Sequence, residues 1–184
     1  MEQIPLPEEG NRIPTPNIYV ASLSDYNDGR LHGSWIDASQ SADELHAAVQ
    51  GMLDHSPIGG AEEYAIHDYE GFGPWRPSEY ESIEAVAAVA NGIAEFGPAF
   101  AHYVALRGTE EDTLSDFEDH YLGHYESAEA YAEELLEDLG ISIQVPSGFE
   151  PYVQLDVAAY ARDLELGGDI ELSEGDGGVY IFSA

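Results

Sequence analysis

The sequence predicts an α+β protein made of small units: a β-rich N-terminal unit, a helical middle and a mixed α/β C-terminal unit. Two observations predict this order. Before residue 70, short runs rich in β-branched and aromatic residues are separated by turn residues, as is typical of strands. After the breaker-rich segment 71–77, apolar residues recur at helical spacing instead.

The first unit is predicted to span residues 17–72 with the order β-β-α-β. Runs at 18–23 and 30–37 predict two antiparallel strands joined by a turn-rich loop. Residues 1–16 contain four prolines and little apolar periodicity, so we expect them to form a mobile extension without a function.

The helix of this unit is predicted by a capping box, in which Ser41 is followed three residues later by Glu44. A third strand is expected at 64–68. Beyond it, apolar spacing predicts helices over 82–96 and 99–107, so residues 73–108 are expected to form a helical connector domain.

Residues 109–184 are predicted to form the third domain. Thr109, with Asp112 three residues later, is expected to cap a helix that Gly123 ends. The next helix is expected at 126–139, ended by Gly140, with Tyr131, Leu135, Leu136 and Leu139 facing inward. Another is expected at 152–164, with Leu155, Ala159 and Leu164 facing inward. A strand at 178–182 is expected to close the fold by pairing with 170–172.

Charge is the strongest constraint on function. Asp and Glu number 37 against five Lys plus Arg, all five of them arginines, and the formal charge is −32. Such a field repels nucleic acid and anionic lipid and attracts basic surfaces, so the expected partner is a basic protein and not DNA or a membrane. The chain has no cysteine, no recognisable signal segment and no apolar run long enough for a membrane span, and a cytoplasmic location is expected.

The acidic side chains are densest after residue 108, and no Lys or Arg occurs between Gly108 and Ala161. Like charges four residues apart on the helix predicted at 126–139 cost about 1 kcal/mol in total, so solubility alone does not account for them. We therefore predict that these carboxylates form a surface that imitates phosphates. Its members are Glu110, Glu111, Asp112, Asp116, Glu118, Asp119, Glu126, Glu129, Glu133, Glu134, Glu137 and Asp138.

Two other functions fit parts of the sequence. His120 and His124 have the i,i+4 spacing of helical zinc ligands, which would suit a metal-dependent hydrolase, but the segment between them lacks the catalytic Glu of that motif. The widespread acidity also fits a salt-adapted adaptor protein. No nucleophile elbow or phosphate-binding glycine loop is present, so we assign no catalytic, cofactor-binding or metal-ligating residue and expect no enzyme activity.

Five ordered segments resemble the ArdA-type antirestriction proteins, the acidic DNA mimics of mobile genetic elements. They are Ile18–Gly29 with Gly33–Asp37, Ile66–Gly71, Phe117–Ala132, Ala159–Leu164 and Gly178–Phe182. The resemblance implies an elongated, curved homodimer of small domains that occupies the DNA-binding groove of type I restriction-modification enzymes. It also implies an antirestriction motif close to the dimer contact, for which we expect a scaffold of Leu114, Phe117, Tyr121, Gly123, Tyr125, Tyr131 and Leu135.

Overall fold

The computed structural model describes residues 14–141, 144–149 and 152–184, and the chain divides into two compact units. The first unit ends at Phe117, and the second is Glu118–Ala184. Each unit combines helices with a three-stranded antiparallel sheet, which confirms the predicted α+β class. Most of the predicted extension, residues 1–13, lies outside the described residues. Pro16 at its end is buried, and its carbonyl accepts a hydrogen bond from Ala38 N at 2.9 Å.

The sheet of the first unit has β1 (Asn17–Ser22) at its centre, between β2 (Gly33–Asp37) and β3 (Tyr64–Glu70). Ile18 and Val20 of β1 are completely buried on its core side. All three strands were predicted, but the loop after β1 forms a short helix that was not, α1 (Leu23–Asn27). Ser22 begins this helix by accepting a hydrogen bond from Asp25 N, as a polar N-cap residue does.

The capping box predicts α2 (Ala42–Asp54) correctly. The Ser41 hydroxyl accepts from Glu44 N at 3.3 Å, and the Glu44 carboxylate accepts from Ser41 N at 3.1 Å. Leu45 and Val49 on one face of α2 are buried, and α2 packs against the sheet. The unit thus acquires a core between one helix face and one sheet face, as amphipathic elements require.

Two further helices complete most of the first unit, α3 (Ile83–Phe96) and α4 (Pro98–Arg107), and both were predicted. The helix α3 packs on α2 as well as on α4, so the residues predicted as a connector belong to this compact unit. The breaker-rich segment before α3 contributes to the core as well: Phe72 and Trp75 are buried with ring centroids 5.3 Å apart. The division into three domains stays a prediction.

The acidic segment begins with α5 (Glu111–Ser115) in the first unit and α6 (Phe117–His120), which crosses the boundary between the units. The second unit continues with β4 (Tyr121–Tyr125), α7 (Ala128–Asp138), α8 (Val157–Gly167), β5 (Ile170–Gly175) and β6 (Gly178–Ser183). Its sheet has the order β4-β6-β5, and α7 packs on α8. The predicted pairing of the last two strands is confirmed, since Leu172 lies opposite Ile181.

Two helix predictions in the second half need correction. The helix expected from Thr109 to Gly123 is instead α5, α6 and the strand β4. The helix expected at 152–164 begins at Val157, because the Asp156 side chain accepts a hydrogen bond from Ala159 N at 2.9 Å and so forms its N-cap. Leu155 therefore lies before the helix and is exposed, and Ala161 is the buried residue of α8.

Within the described ranges, no helix has the length and apolar composition needed to cross a membrane.

Candidate functional site

The first group of predicted phosphate-mimicking residues surrounds α5 in the first unit. Glu110 is the N-cap residue in place of the predicted Thr109, and it makes no side-chain capping bond. Glu111 and Asp112 occupy the first turn, where the helix dipole favours negative charge, and Asp116 follows the last residue. All four residues are exposed to solvent. The two ends of α5 therefore expose four carboxylates to solvent.

Phe117 anchors the end of this group in the core of the first unit. Its side chain is 1% exposed, and its ring centroid lies 5.0 Å from that of Phe96, 5.2 Å from Phe100 and 5.4 Å from Tyr103. Aromatic pairs at such distances contribute about 0.5–1.5 kcal/mol each beyond area burial. Leu114, the other predicted scaffold residue here, is partly buried. Phe117 is thus held in a four-ring cluster, and its scaffold role in the antirestriction motif stays a prediction.

The helix predicted to run through Tyr121 is wrong there, because Tyr121 begins the strand β4. Gly123 lies in the middle of that strand and pairs with Ile181, so it is not a residue that ends a helix. Its φ of 140° and the ring of Tyr125, 2.7 Å from the position of an added Cβ, both require glycine there. Gly123 therefore lets β4 approach the Tyr125 ring closely, and its scaffold role in the antirestriction motif stays a prediction.

The tyrosines of β4 pack inside the second unit. The rings of Tyr121 and Phe182 are 5.7 Å apart, and burial raises the pKa of Tyr121. Tyr125 packs edge-on against Tyr131 at 5.3 Å and donates a hydrogen bond to the Glu134 carboxylate at 3.2 Å. Burial, followed by the charge of Glu134, raises the pKa of Tyr125 to about 12. These hydroxyls stay protonated at neutral pH, so Tyr125 acts as a donor that positions one acidic side chain.

The histidines do not form the predicted alternative metal site. His120 ends α6, whereas His124 lies in β4, so the pair does not share a helix face. His124 Nε2 donates to the Gly175 carbonyl at 3.1 Å and therefore carries a proton, which leaves that nitrogen unable to bind a metal. No group of three or more His, Asp or Glu side chains suited to a metal ion occurs among the residues that the structure describes.

The second group of predicted phosphate-mimicking residues lies in the second unit. The helix α7 begins at Ala128, not at residue 126 as predicted. Ser127 is its N-cap residue, and the Ser127 hydroxyl accepts a hydrogen bond from Ala130 N at 3.2 Å. Hydrogen bonding to its own backbone N–H and to Ser127, together with the charge of Arg162, lowers the pKa of Glu129 and keeps it ionised. The residues of this group, all exposed, are Glu118, Asp119, Glu126, Glu129, Glu133, Glu134, Glu137 and Asp138.

The inner face of α7 is less buried than predicted. Ala132 is fully buried, while Tyr131 and Leu135 are partly buried. Leu139, which was expected inside, is 60% exposed because the helix ends at Asp138 and Gly140 adopts a left-handed conformation. The helix is thus held by a short apolar stripe, with its acidic residues directed to solvent.

The sequence did not single out an aromatic pair on the sheet of the first unit. Tyr19 lies opposite Trp35, with ring centroids 5.6 Å apart, and Trp35 is 49% exposed. The alternation along β1 of Ile18 and Val20 with Asn17 and Tyr19 is the signal that places Tyr19 on the side away from the core. The strand partner of Tyr19 depends on register, which local sequence does not specify.

Comparison with known proteins identifies the family of the chain. No curated protein matches the chain. The family model described as antirestriction protein (ArdA) matches residues 18–178, which is well over half of the 184 residues. The matched range contains both acidic groups and all of the scaffold residues. The chain belongs to the ArdA family of antirestriction proteins.

Proposed function

We propose that this antirestriction protein acts as a DNA mimic that occupies the DNA-binding groove of type I restriction-modification enzymes. The observation that carries the proposal is that all twelve predicted phosphate-mimicking residues are exposed. The segments that bear them are held by packed side chains, which include the four-ring cluster around Phe117 and the short apolar face of α7. Family membership supports the antirestriction outcome, and the exposed carboxylates support this means of achieving it. The protein then inhibits by occupancy, without catalysis, and does so in the cytoplasm.

The physical basis is a match of charge spacing. Duplex DNA carries one phosphate charge per roughly 1.7 Å of axis. An α-helix rises about 1.5 Å per residue, so acids at every second or third position are about 3.0–4.5 Å apart along its axis, close to the roughly 3.4 Å between phosphate charges along one DNA strand. A groove built for phosphates binds carboxylates by the same electrostatic attraction. Because the mimic offers no base edges, its inhibition should be independent of the recognition sequence of the enzyme.

A homodimer forms part of this proposal. The second unit leaves several large apolar side chains exposed around the α7–α8 connection, and a second copy would cover them. They are Leu139, Ile141, Phe149, Tyr152 and Leu155. Sedimentation equilibrium at micromolar concentration tests this part: a monomer would contradict it and leave the mimicry proposal intact.

Displacement of DNA from a type I enzyme tests the mimicry directly. A labelled duplex bound to the enzyme is titrated with the protein at low salt, and displacement is followed by fluorescence anisotropy. We expect complete displacement by the wild type and weaker displacement by the quadruple variant E129Q/E133Q/E134Q/E137Q. The matched control D43N/D54N/E62Q/E63Q removes the same number of charges from exposed residues of the first unit.

The control distinguishes mimicry from the alternative of a salt-adapted adaptor protein. In such a protein the acidic residues serve solubility, so removing four of them should have the same effect on either surface. Equal weakening by the two quadruple variants would assign the effect to net charge alone. No displacement by the wild type would refute the proposal.

A further inference from the structure

The outward side of the first unit's sheet carries a row of three side chains. Tyr19 in β1 is paired with Trp35 in β2 on one side and with Asp68 in β3 on the other. Residues directly opposite each other on adjacent strands project to the same face, so Trp35 and Asp68 flank Tyr19. A β-bulge between Tyr19 and Val20 lies beside this row and leaves His67 as the extra residue of β3. The two rings are tilted by 58° at a centroid distance of 5.6 Å, and Asp68 is exposed.

A second row lies two residues further along the same strands, and therefore on the same face. Asp37 in β2, Asn17 in β1 and Glu70 in β3 are paired there, and both acids are exposed. Asp37 already accepts hydrogen bonds from the backbone and hydroxyl of Ser39. The ion pairs found in the described part of the chain include neither Asp68 nor Glu70.

The position of the tyrosine ring is fixed by the strand beside it. A Cβ added at Gly33 would lie 2.9 Å from the Tyr19 hydroxyl oxygen, so the ring fills the space that a side chain at residue 33 would take. The ring of Trp35, which is in β2 like Gly33, packs against the Tyr19 ring. Half of the Trp35 surface still faces solvent.

This combination selects one kind of ligand. Aromatic faces attract cations, and guanidinium groups both stack on rings and bind carboxylates through paired N–H donors. A platform of rings alone would also suit a nucleic-acid base, but Asp37, Asp68 and Glu70 repel phosphates. The same three carboxylates would repel the acidic surface of a second copy of this chain at this face.

We propose that Tyr19, Trp35, Asp68 and Glu70 form a binding site for an arginine side chain of a basic partner protein. The identity of that partner as a restriction enzyme rests on the proposed function, whereas the arginine site does not. The site extends the interaction surface to the sheet of the first unit, outside the acidic segment that follows residue 108.

The two tryptophans provide a local probe, because Trp75 is only 8% exposed and serves as an internal reference. The full chain labelled with 5-fluorotryptophan gives two ¹⁹F signals, which the variant W35F assigns. We titrate it with a blocked tetra-arginine peptide. The Trp35 signal should shift saturably while the Trp75 signal stays in place, and D68N, which removes an exposed ion pair, should weaken the apparent affinity by about two- to fivefold.

The control D43N removes one exposed charge from α2 in the same unit, and it should weaken binding less than D68N. An unresponsive Trp35 signal, or equal weakening by the two variants, would overturn the arginine site. Tetra-arginine affinity measured by calorimetry should fall in W35T, which removes the ring but keeps a strand-forming residue, and should be retained in W35F. Circular dichroism confirms that each variant is folded.

Displacement of DNA from the type I enzyme separates the two proposals. If W35T displaced DNA as well as the wild type does, the arginine site would have no role in the complex, and the mimicry proposal would stand. A responsive Trp35 signal without any displacement would refute the mimicry proposal and support the arginine site. A dimer that W35T dissociates would assign the face to a second copy and overturn the inference.

Discussion

A single buried carboxylate ties the loop after β1 to the end of α2. Asp25 is completely buried, and it accepts a hydrogen bond from the Ser56 hydroxyl at 2.6 Å. Its other carboxylate oxygen has no hydrogen-bond partner among the described residues. The bond from Ser56 is the largest influence on Asp25 and, with help from Ser22, lowers its pKa although burial opposes this. The Ser56 hydroxyl is therefore the largest single contribution that keeps the buried Asp25 carboxylate ionised in the folded state.

Replacing Ser56 with alanine should consequently destabilise the protein. Removing a hydrogen bond to a buried charged group costs about 1.5–3 kcal/mol, so we expect S56A to lower the free energy of unfolding by about 2 kcal/mol in urea titrations at pH 7. The control is S39A, which removes a bond of the same length to the exposed carboxylate of Asp37. A loss in S56A no larger than the loss in S39A would contradict the role of Asp25.

Tyr125 makes the second unit sensitive to alkaline pH. Its folded pKa of about 12 exceeds the ordinary value of 10.0, so the folded state holds the phenolic proton more strongly than the unfolded state does. The resulting stabilisation is complete below pH 10 and is lost as the pH rises towards 12. In urea titrations across this interval, Y125F should lose less stability than the wild type. The exposed tyrosine variant Y80F should behave as the wild type does.

Among the elements, α7 shows the conflict between stability and function most clearly. Glu133 is four residues from both Glu129 and Glu137, and all three are exposed. Like charges at this spacing destabilise a helix, and Glu followed by Lys at i,i+4 stabilises it. A helix selected for stability would place a cation at residue 133. We infer that binding to a basic partner maintains the acid there.

The variant E133K should therefore be more stable and less active. Converting two like-charge pairs into opposite-charge pairs should raise the free energy of unfolding by about 1 kcal/mol, or the melting temperature by about 2–4 °C. Displacement of DNA from the enzyme should weaken in E133K and, to a smaller extent, in E133Q. The control E165K makes the same charge change at an exposed position of α8. If E133K and E165K displaced DNA equally well, Glu133 would not face the partner.

The elements also show what local sequence can specify. The helices α2 and α3 were predictable because a capping serine and an apolar period occur together in each. The helix α4 was predictable because Pro98 in its first turn precedes an apolar period. The strand β4 was not, because Leu114, Phe117 and Tyr121 have helical spacing although Tyr121 pairs with Phe182, 61 residues later. The acidic positions could be found by counting charges, whereas the Tyr19–Trp35–Asp68 row depends on the register of three strands.

At the scale of the whole molecule, the charge of −32 has two effects. It provides the attraction of the proposed mimic to a basic groove, and it lowers the stability of the folded state. Self-repulsion destabilises a compact state, and dissolved salt screens it with a Debye length of about 30 Å at 0.01 M and 8 Å at 0.15 M. Salt also weakens the attraction of the carboxylates to a basic groove, since counterions compete for both partners. The same screening thus acts in opposite directions on the fold and on the complex.

Raising NaCl from 10 to 150 mM should accordingly increase the melting temperature and weaken displacement of DNA over the same range. Because enzyme–DNA binding is itself salt-dependent, the affinity of the protein for the enzyme is measured directly by calorimetry. The quadruple variant E129Q/E133Q/E134Q/E137Q should show a smaller effect of salt on both quantities. A protein acidic only through salt adaptation would gain stability with salt but show no salt-dependent affinity for the enzyme. A melting temperature that fell over this range would show that self-repulsion is not what limits the stability of the fold.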